Sequence, residues 1–256
     1  MVGRARGIGC PVMTAAAVGA QHRDAGRAGG EPVSSCAGTA GEAWRSACAD
    51  GRARRLTFAE LAEEPGAQLA ELLHAVDDEL AGPSSPVTLE RLEALAGAVA
   101  QRTGRSDPPT AQARALAEVV ALRACLRGCS DERPEGLLLT RALVRGRAHP
   151  HLLAALYAQV AQWAGLPWQV AARSGELLLI HVAEPPVIVG PSQALRVLSP
   201  HAVTFVVLDA LTQAFQRHLQ LGDAVRAARL RTLLPAAPCC RARAHVQLVA
   251  LSAALN

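Results

Sequence analysis

The sequence predicts an α+β fold in which a helical N-terminal half packs on one central helix and a small antiparallel sheet. Three observations support this fold class. Apolar residues recur at helical spacing in four short segments between residues 56 and 146. A fifth helical segment is followed by two β-rich stretches that meet at a Ser174-Gly175 turn. Two amphipathic segments then flank Gly222-Asp223, which predicts a C-terminal helical hairpin.

These patterns divide the chain into four parts. Residues 1–55 are rich in Ala, Gly, Arg and Ser and show no apolar periodicity, so they are predicted to be a disordered tail. An organelle transit peptide and a mistaken start, with Met13 as the true one, are the alternatives. The remaining parts are a helical subdomain at 56–146, the core at 147–198, and the C-terminal hairpin and tail at 199–256.

The predicted elements follow one another in a simple order. Four N-terminal helices are predicted from "LTFAELAEEPGAQLAELLHAVDDELAG", "VTLERLEALAGAVAQR" with Thr88 as its N-cap, "TAQARALAEVVALRACLRG" ending at Gly128, and "PEGLLLTRALVRG". The central helix is "PHLLAALYAQVAQWAG". The strands are "WQVAARS", "ELLLIHVAE" and the proline-bounded "PPVIVGP". Asp223 is the predicted cap of the last helix, which Pro235 ends.

Composition excludes several classes of function. The net charge is +4 and the basic residues are not clustered, so no nucleic-acid partner is expected. All 26 basic residues are arginine. A chain without lysine cannot form a Schiff base with pyridoxal phosphate, complete a P-loop or supply the kinase strand lysine. No apolar run reaches the roughly 18–20 residues that span a bilayer, so no membrane partner is expected either.

The seven cysteines do not have the spacing of a zinc site. Cys125 and Cys129 are four residues apart and could share one face of the third helix, where small core residues are the favoured interpretation. No metal and no other cofactor is predicted. The odd number of cysteines favours a reducing compartment, and we expect an intracellular, cytoplasmic protein unless residues 1–55 direct it to an organelle.

The order of these segments resembles the SirB-type transglutaminase-like family, whose domain also occurs in one class of F-box proteins. The resemblance covers roughly residues 56–250. The stretches that carry it are "GLLLTRALVRGRAHPHLLAALYAQVAQWAGLP", "ARSGELLLIHV", "VIVGPSQALRVLS" and "AFQRHLQLGDAVRAARLRTLLPAAP". The resemblance implies a transglutaminase-like core, in which a nucleophile at a helix N-terminus is served by a His on a strand and oriented by an Asp.

The positions that match those three roles hold other residues. The nucleophile position falls on Pro150, or on His151 with a slip of one residue, the His position on Glu176 and the Asp position on Gly190. His181 lies five residues after Glu176, so strand alternation points it to the opposite face. The resemblance therefore implies a degenerate member without transglutaminase or cysteine-peptidase activity.

The predicted function is a non-catalytic protein-binding or regulatory scaffold, whose partner is another protein and whose oligomeric state is left open. We call the predicted binding region the candidate cleft; its residues are His149, His151, Glu176 and Trp168. Substrate recognition for a ubiquitin ligase is one version, although residues 1–55 show no F-box signature, and a bacterial-type regulator is another. The alternative is a hydrolase of altered, metal-assisted chemistry that uses His149, His151 and Glu176. A decaying gene copy is a third interpretation.

Overall fold

The computed structural model describes residues 56–85, 87–129, 133–173, 176–182, 196–235 and 238–255. The predicted turn at Ser174-Gly175, the strand "PPVIVGP" and the tail at 1–55 lie outside these residues. The described residues from Thr57 onward belong to one compact unit.

Helical segments precede and follow the strands of the core sheet, as is typical of an α+β fold. The helices are α1 (Phe58–Glu63), α2 (Leu69–Ala81), α3 (Val87–Ala100), α4 (Pro109–Glu118), α5 (Leu139–Arg145), α6 (Pro150–Trp163), α7 (Pro200–Arg217), α8 (Leu221–Leu233) and α9 (Pro238–Leu255). The strands are β1 (Arg127–Gly128), β2 (Arg147–Ala148), β3 (Trp168–Arg173), β4 (Glu176–His181) and β5 (Arg196–Val197). The predicted α+β class is confirmed, with helix as the dominant element.

The sheet of the core has the strand order β4-β3-β5 and is antiparallel throughout its described part. The register between β3 and β4 is unbroken from Trp168 opposite His181 to Arg173 opposite Glu176. Helix α6 packs against both of these strands and also contacts α2, α3 and α7. Because α6 is surrounded by sheet and helices, its apolar residues lie at the centre of the core; Leu152, Ala155, Leu156 and Val160 are buried.

Three features of the N-terminal half differ from the prediction. Helix α3 already begins at Val87, so Thr88 does not cap it; its hydroxyl lies 3.3 Å from the Thr140 hydroxyl instead. The third helix does not continue to Gly128. Its α-helical part ends at Glu118 and passes into a π-helical turn at Val119–Arg123, after which Cys125 has a φ of 52°. In place of the last helical turn that was predicted, the chain forms the short strand β1, whose backbone pairs in parallel with β2.

The C-terminal hairpin formed by α7 and α8 is confirmed, and it extends further than the sequence predicted. Helix α8 begins at Leu221, so Asp223 lies in its first turn rather than at its cap. The predicted tail contains a third helix, α9, which packs against α8. None of the described helices combines the length and the apolar character that crossing a membrane requires.

Candidate functional site

The first turn of α6 contains Pro150 and His151, the residues that the sequence analysis matched to the nucleophile position. His149 is the N-cap, and its Nδ1 accepts a hydrogen bond of 3.2 Å from the backbone N–H of His151. Pro150 occupies the first helical position, where a missing N–H costs nothing. The rings of His149 and His151 lie 4.8 Å apart between centroids. This turn therefore carries two imidazoles and a proline, with neither a hydroxyl nor a thiol.

Glu176 opens β4 and lies near this turn. Partial burial lowers the pKa of His151 from its usual value of 6.5, and the Glu176 carboxylate opposes that change by raising it. Glu176 itself is exposed. The structure therefore brings His149, His151 and Glu176 to the same end of α6, with the histidine ring partly removed from water and the carboxylate in contact with water.

Replacing Glu176 by glutamine is expected to lower the pKa of His151 further, because burial is then no longer opposed by a nearby negative charge. Since a lowered pKa means that the folded state binds fewer protons, the stability that neutral His151 contributes is present above pH 6.5. It is lost as the pH falls toward the pKa of the folded state. An NMR titration of the His151 ring measures this change. The exposed Glu63→Gln variant is the control, and an unchanged His151 pKa in Glu176→Gln would contradict the expected contact.

Trp168 lies at the other end of the core. It is the first residue of β3, and its register partner is His181, whereas Glu176 pairs with Arg173. The two pairs are five positions apart along the strand, which corresponds to about 17 Å. The Trp168 indole is buried, donates a 3.0 Å hydrogen bond to Oε1 of Gln112 and meets the His181 ring edge-on at 5.0 Å. The structure therefore does not place Trp168 beside the other three residues of the candidate cleft.

The strand register also fixes the position of His181. Because the β3–β4 pairing contains no bulge, side chains alternate regularly along β4. Glu176 and His181 consequently lie on opposite faces of the sheet. His181 therefore does not share a face with Glu176, as the sequence predicted.

Cys125 and Cys129 lie elsewhere than predicted. They do not share a helix face, because the helix ends before Cys125, and Cys125 is exposed rather than part of the core. Cys129 follows β1, and its backbone N–H donates a 2.9 Å hydrogen bond to the carbonyl of Ala148. Since Ala148 directly precedes His149, the chain at Cys129 runs beside the start of α6. Sequence spacing gave no sign of this, because a parallel pairing between β1 and β2 creates the proximity.

The metal-assisted alternative needs three ligands at one point. Within the described ranges, no group of three His, Cys, Asp or Glu side chains could hold a metal ion. His149, His151 and Glu176 all belong to those ranges and do not converge in this way. The structure therefore provides no ligand set for the alternative.

The geometry at the start of α6 can now be compared with known families. A family model described as the transglutaminase-like superfamily matches residues 87–231. This span runs from the start of α3 into α8 and covers more than half of the chain. The chain belongs to the transglutaminase-like superfamily. The comparisons with curated proteins and with solved structures gave no match.

Membership in the transglutaminase-like superfamily agrees with the placement of the central helix and the β3–β4 hairpin. Pro150 begins the helix and Glu176 begins the second strand. That these residues correspond to the nucleophile and histidine positions stays a prediction. Gly190, the third matched position, lies outside the described residues.

A polar residue that the sequence analysis passed over lies in the middle of α6. Gln159 is polar, but it stands on the apolar stripe between Leu156 and Trp163 and is only 1% exposed. Its Oε1 accepts a 2.9 Å hydrogen bond from the backbone N–H of Ala70, near the start of α2. A glutamine on the buried stripe of a central helix was the available signal, because a buried polar group needs a partner.

Proposed function

We propose that this superfamily member is a degenerate, SirB-type transglutaminase-like protein that binds or regulates another protein and performs no acyl transfer. The observation that carries the proposal is the composition of the first turn of α6. A transglutaminase-type reaction needs a thiolate or alkoxide there, and His149, Pro150 and His151 supply neither. Members of a catalytic triad act as a unit, so the loss of the nucleophile removes most of the rate on its own.

The interactions of the His149 and His151 imidazoles support the same proposal. The Nδ1 atom of His149 is engaged in capping the helix, and the pKa of His151 is lowered by burial. Glu176, in the position of the general base, is exposed and has no nucleophile to activate. These side chains can contact a partner as hydrogen-bonding groups, which is what a binding surface requires.

The hairpin offers a second contact point for a protein partner. Leu219, at the connection between α7 and α8, is 84% exposed. A single exposed leucine is ordinary on a protein surface, but its position at the tip of a helical hairpin makes it accessible to another molecule. The start of α6 and the hairpin tip are therefore the two places to test.

An activity assay tests the absence of chemistry. The full chain is incubated with casein and dansylcadaverine, and separately with a fluorogenic peptide, and we expect no product above the buffer rate. Cys129→Ser is assayed in parallel, because Cys129 is the described cysteine that lies beside the start of α6. Turnover in the wild type that Cys129→Ser abolishes would disprove the proposal and reveal a displaced thiol nucleophile.

A quantitative pull-down tests the binding role. Wild type, Glu176→Arg and Leu219→Asp are used as bait, with exposed Glu63→Arg as the matched charge-reversal control. We expect at least one protein to be recovered with wild type and Glu63→Arg but to be depleted with Glu176→Arg or Leu219→Asp. Equal recovery of every protein with all four baits would count against a specific partner at either place.

A further inference from the structure

The last helix, α9, has apolar residues on two opposite sides. Ala244 and Leu251 are buried, and the helix packs against α8. On the side that faces away from them, Val246 is 70% exposed and Val249 is 68% exposed. A helix that is apolar all round normally has both sides covered. The outer side of α9 is therefore a candidate contact surface.

Four exposed residues form a continuous stripe along this outer side. We call it the α9 stripe; its residues are Ala242, Val246, Val249 and Ala253. Their spacing of four, three and four residues keeps them on one side of an α-helix over about 17 Å. This is the spacing with which two helices pack side by side. Because alanine and valine are small, two such stripes can bring their helix axes to about 8 Å, the lower end of the usual range.

The α9 stripe is symmetric about its own centre. Its residues follow the order Ala-Val-Val-Ala, and their spacing is the same in both directions from a point between Val246 and Val249. A second copy of α9 that runs in the opposite direction therefore places Val246 against the partner's Val249, and Ala242 against the partner's Ala253. The same contacts recur on the other side of a twofold axis, the commonest symmetry of homodimers. The stripe is thus complementary to itself.

The distribution of charge along α9 favours this antiparallel orientation. Arg241 and Arg243 are among its first six residues, whereas residues 244–255 include no Arg, Lys, Asp or Glu. Two parallel copies would bring four arginines and two positive helix ends together. In two antiparallel copies, the basic end of each helix lies beside the uncharged half of the other, toward the negative end of its dipole.

The size of the contact sets its expected strength. Helix α9 has 18 residues, so it is about 27 Å long and about 10 Å wide. One pair of such helices buries less than about 1,200 Å², which is the size class of weak and reversible complexes.

We propose that the outer side of α9 is a homodimer interface, in which two copies of this chain pack their α9 helices antiparallel around a twofold axis between Val246 and Val249. The dimer does not depend on the proposed scaffold function, because α9 shares no residue with the first turn of α6 or with the tip of the α7–α8 hairpin.

The oligomeric state of the full chain tests this proposal. Sedimentation equilibrium gives the mass between about 1 μM and about 1 mM, the range of weak affinities. We expect the wild type to pass from monomer to dimer as the concentration rises. Val246→Glu and Val249→Arg should each remain monomeric, because each brings two like charges together near the twofold axis. Val144→Glu is the matched control, since it changes a 78% exposed valine on α5, and it should associate like the wild type.

An equimolar mixture of the two α9 variants tests the antiparallel register. In a mixed pair the new carboxylate at position 246 lies against the new guanidinium at position 249 of the other copy, and the remaining contact keeps two valines. We therefore expect the mixture to dimerise although neither variant does so alone. Circular dichroism checks that each variant is folded, which we expect because both positions are exposed. If one of them unfolds, Ala253→Glu replaces it and should weaken the dimer at least tenfold.

Three outcomes would overturn the proposal. The first is a wild type that is monomeric at every concentration, whether another part of the chain or a different molecule covers the stripe. The second is a dimer that persists in the folded α9 variants, because it would then use another surface. The third is a mixture of Val246→Glu and Val249→Arg that stays monomeric, because the two stripes would then not meet in the antiparallel register.

Discussion

Replacing Asp209 by asparagine is expected to lower the free energy of unfolding by about 3 kcal/mol, because it leaves a buried cation without its counter-charge. The side chain of Arg231 is 1% exposed and donates to Oδ1 of Asp209. It also donates a 2.6 Å hydrogen bond to Gln247 and lies 5.3 Å from the centre of the Phe205 ring. These contacts join α7, α8 and α9. The expected loss is at the lower end of the range for buried pairs, since the Asp209 side chain is 37% exposed and partly hydrated.

Substitution of the other member of the pair, Arg231, distinguishes the cost of an uncompensated buried charge from the simple loss of a contact. Arg231→Met removes the buried charge and keeps an apolar side chain of similar length, so the remaining Asp209 carboxylate can be hydrated. We expect Arg231→Met to cost clearly less than Asp209→Asn. The exposed pair of Asp223 and Arg226 is the matched control, and Asp223→Asn should cost less than about 1 kcal/mol. Chemical denaturation measures all three variants. An Asp209→Asn protein as stable as Asp223→Asn would contradict the assignment.

Replacing Asp77 by alanine should cost a similar amount, about 3 kcal/mol, because two backbone donors lose their acceptor. Asp77 is 1% exposed on α2. Its carboxylate accepts hydrogen bonds of 2.9 and 2.5 Å from the backbone N–H groups of Leu139 and Thr140. Leu138, the N-cap of α5, makes no side-chain cap of its own. Asp77 therefore caps a helix that begins about sixty residues later in the chain, and its loss leaves that helix end buried and unsatisfied.

The titration of Asp77 gives this prediction a second measurement. Burial raises the pKa of Asp77 above its usual 3.8, more than the hydrogen bonds from Thr140 and Leu139 lower it. Because the folded state then holds the proton more tightly, the resulting stability is present below pH 3.8 and is lost as the pH rises through the pKa of the folded state. The stability difference between wild type and Asp77→Asn should therefore grow as the pH falls. Glu79→Ala, an exposed change on the same helix, should be nearly neutral at every pH.

The sequence alone was sufficient for the elements whose signal is local. Helical spacing of leucines determined α2, α3, α6, α7 and α8, and the β-rich run after Pro167 determined β3 and β4. Strand parity alone separated Glu176 from His181, since alternation is a property of any regular strand. The matched positions at Pro150 and Glu176 came from the resemblance to the transglutaminase-like family; the match at residues 87–231 shows the superfamily, and the roles of these two positions stay predictions.

Features that depend on distant residues were decided by the tertiary structure. The capping of α5 by Asp77, the pairing that brings Cys129 beside the start of α6, and the separation of Trp168 from Glu176 all join segments far apart in the chain. Periodicity reports which side of an element is apolar, but it does not report which element covers that side. For the same reason the sequence showed Gln159 only as a polar residue in an apolar helix, without indicating its hydrogen-bond partner. Only the folded chain brings the backbone of Ala70 on α2 against Gln159 and buries its amide, because burial is a property of the tertiary structure.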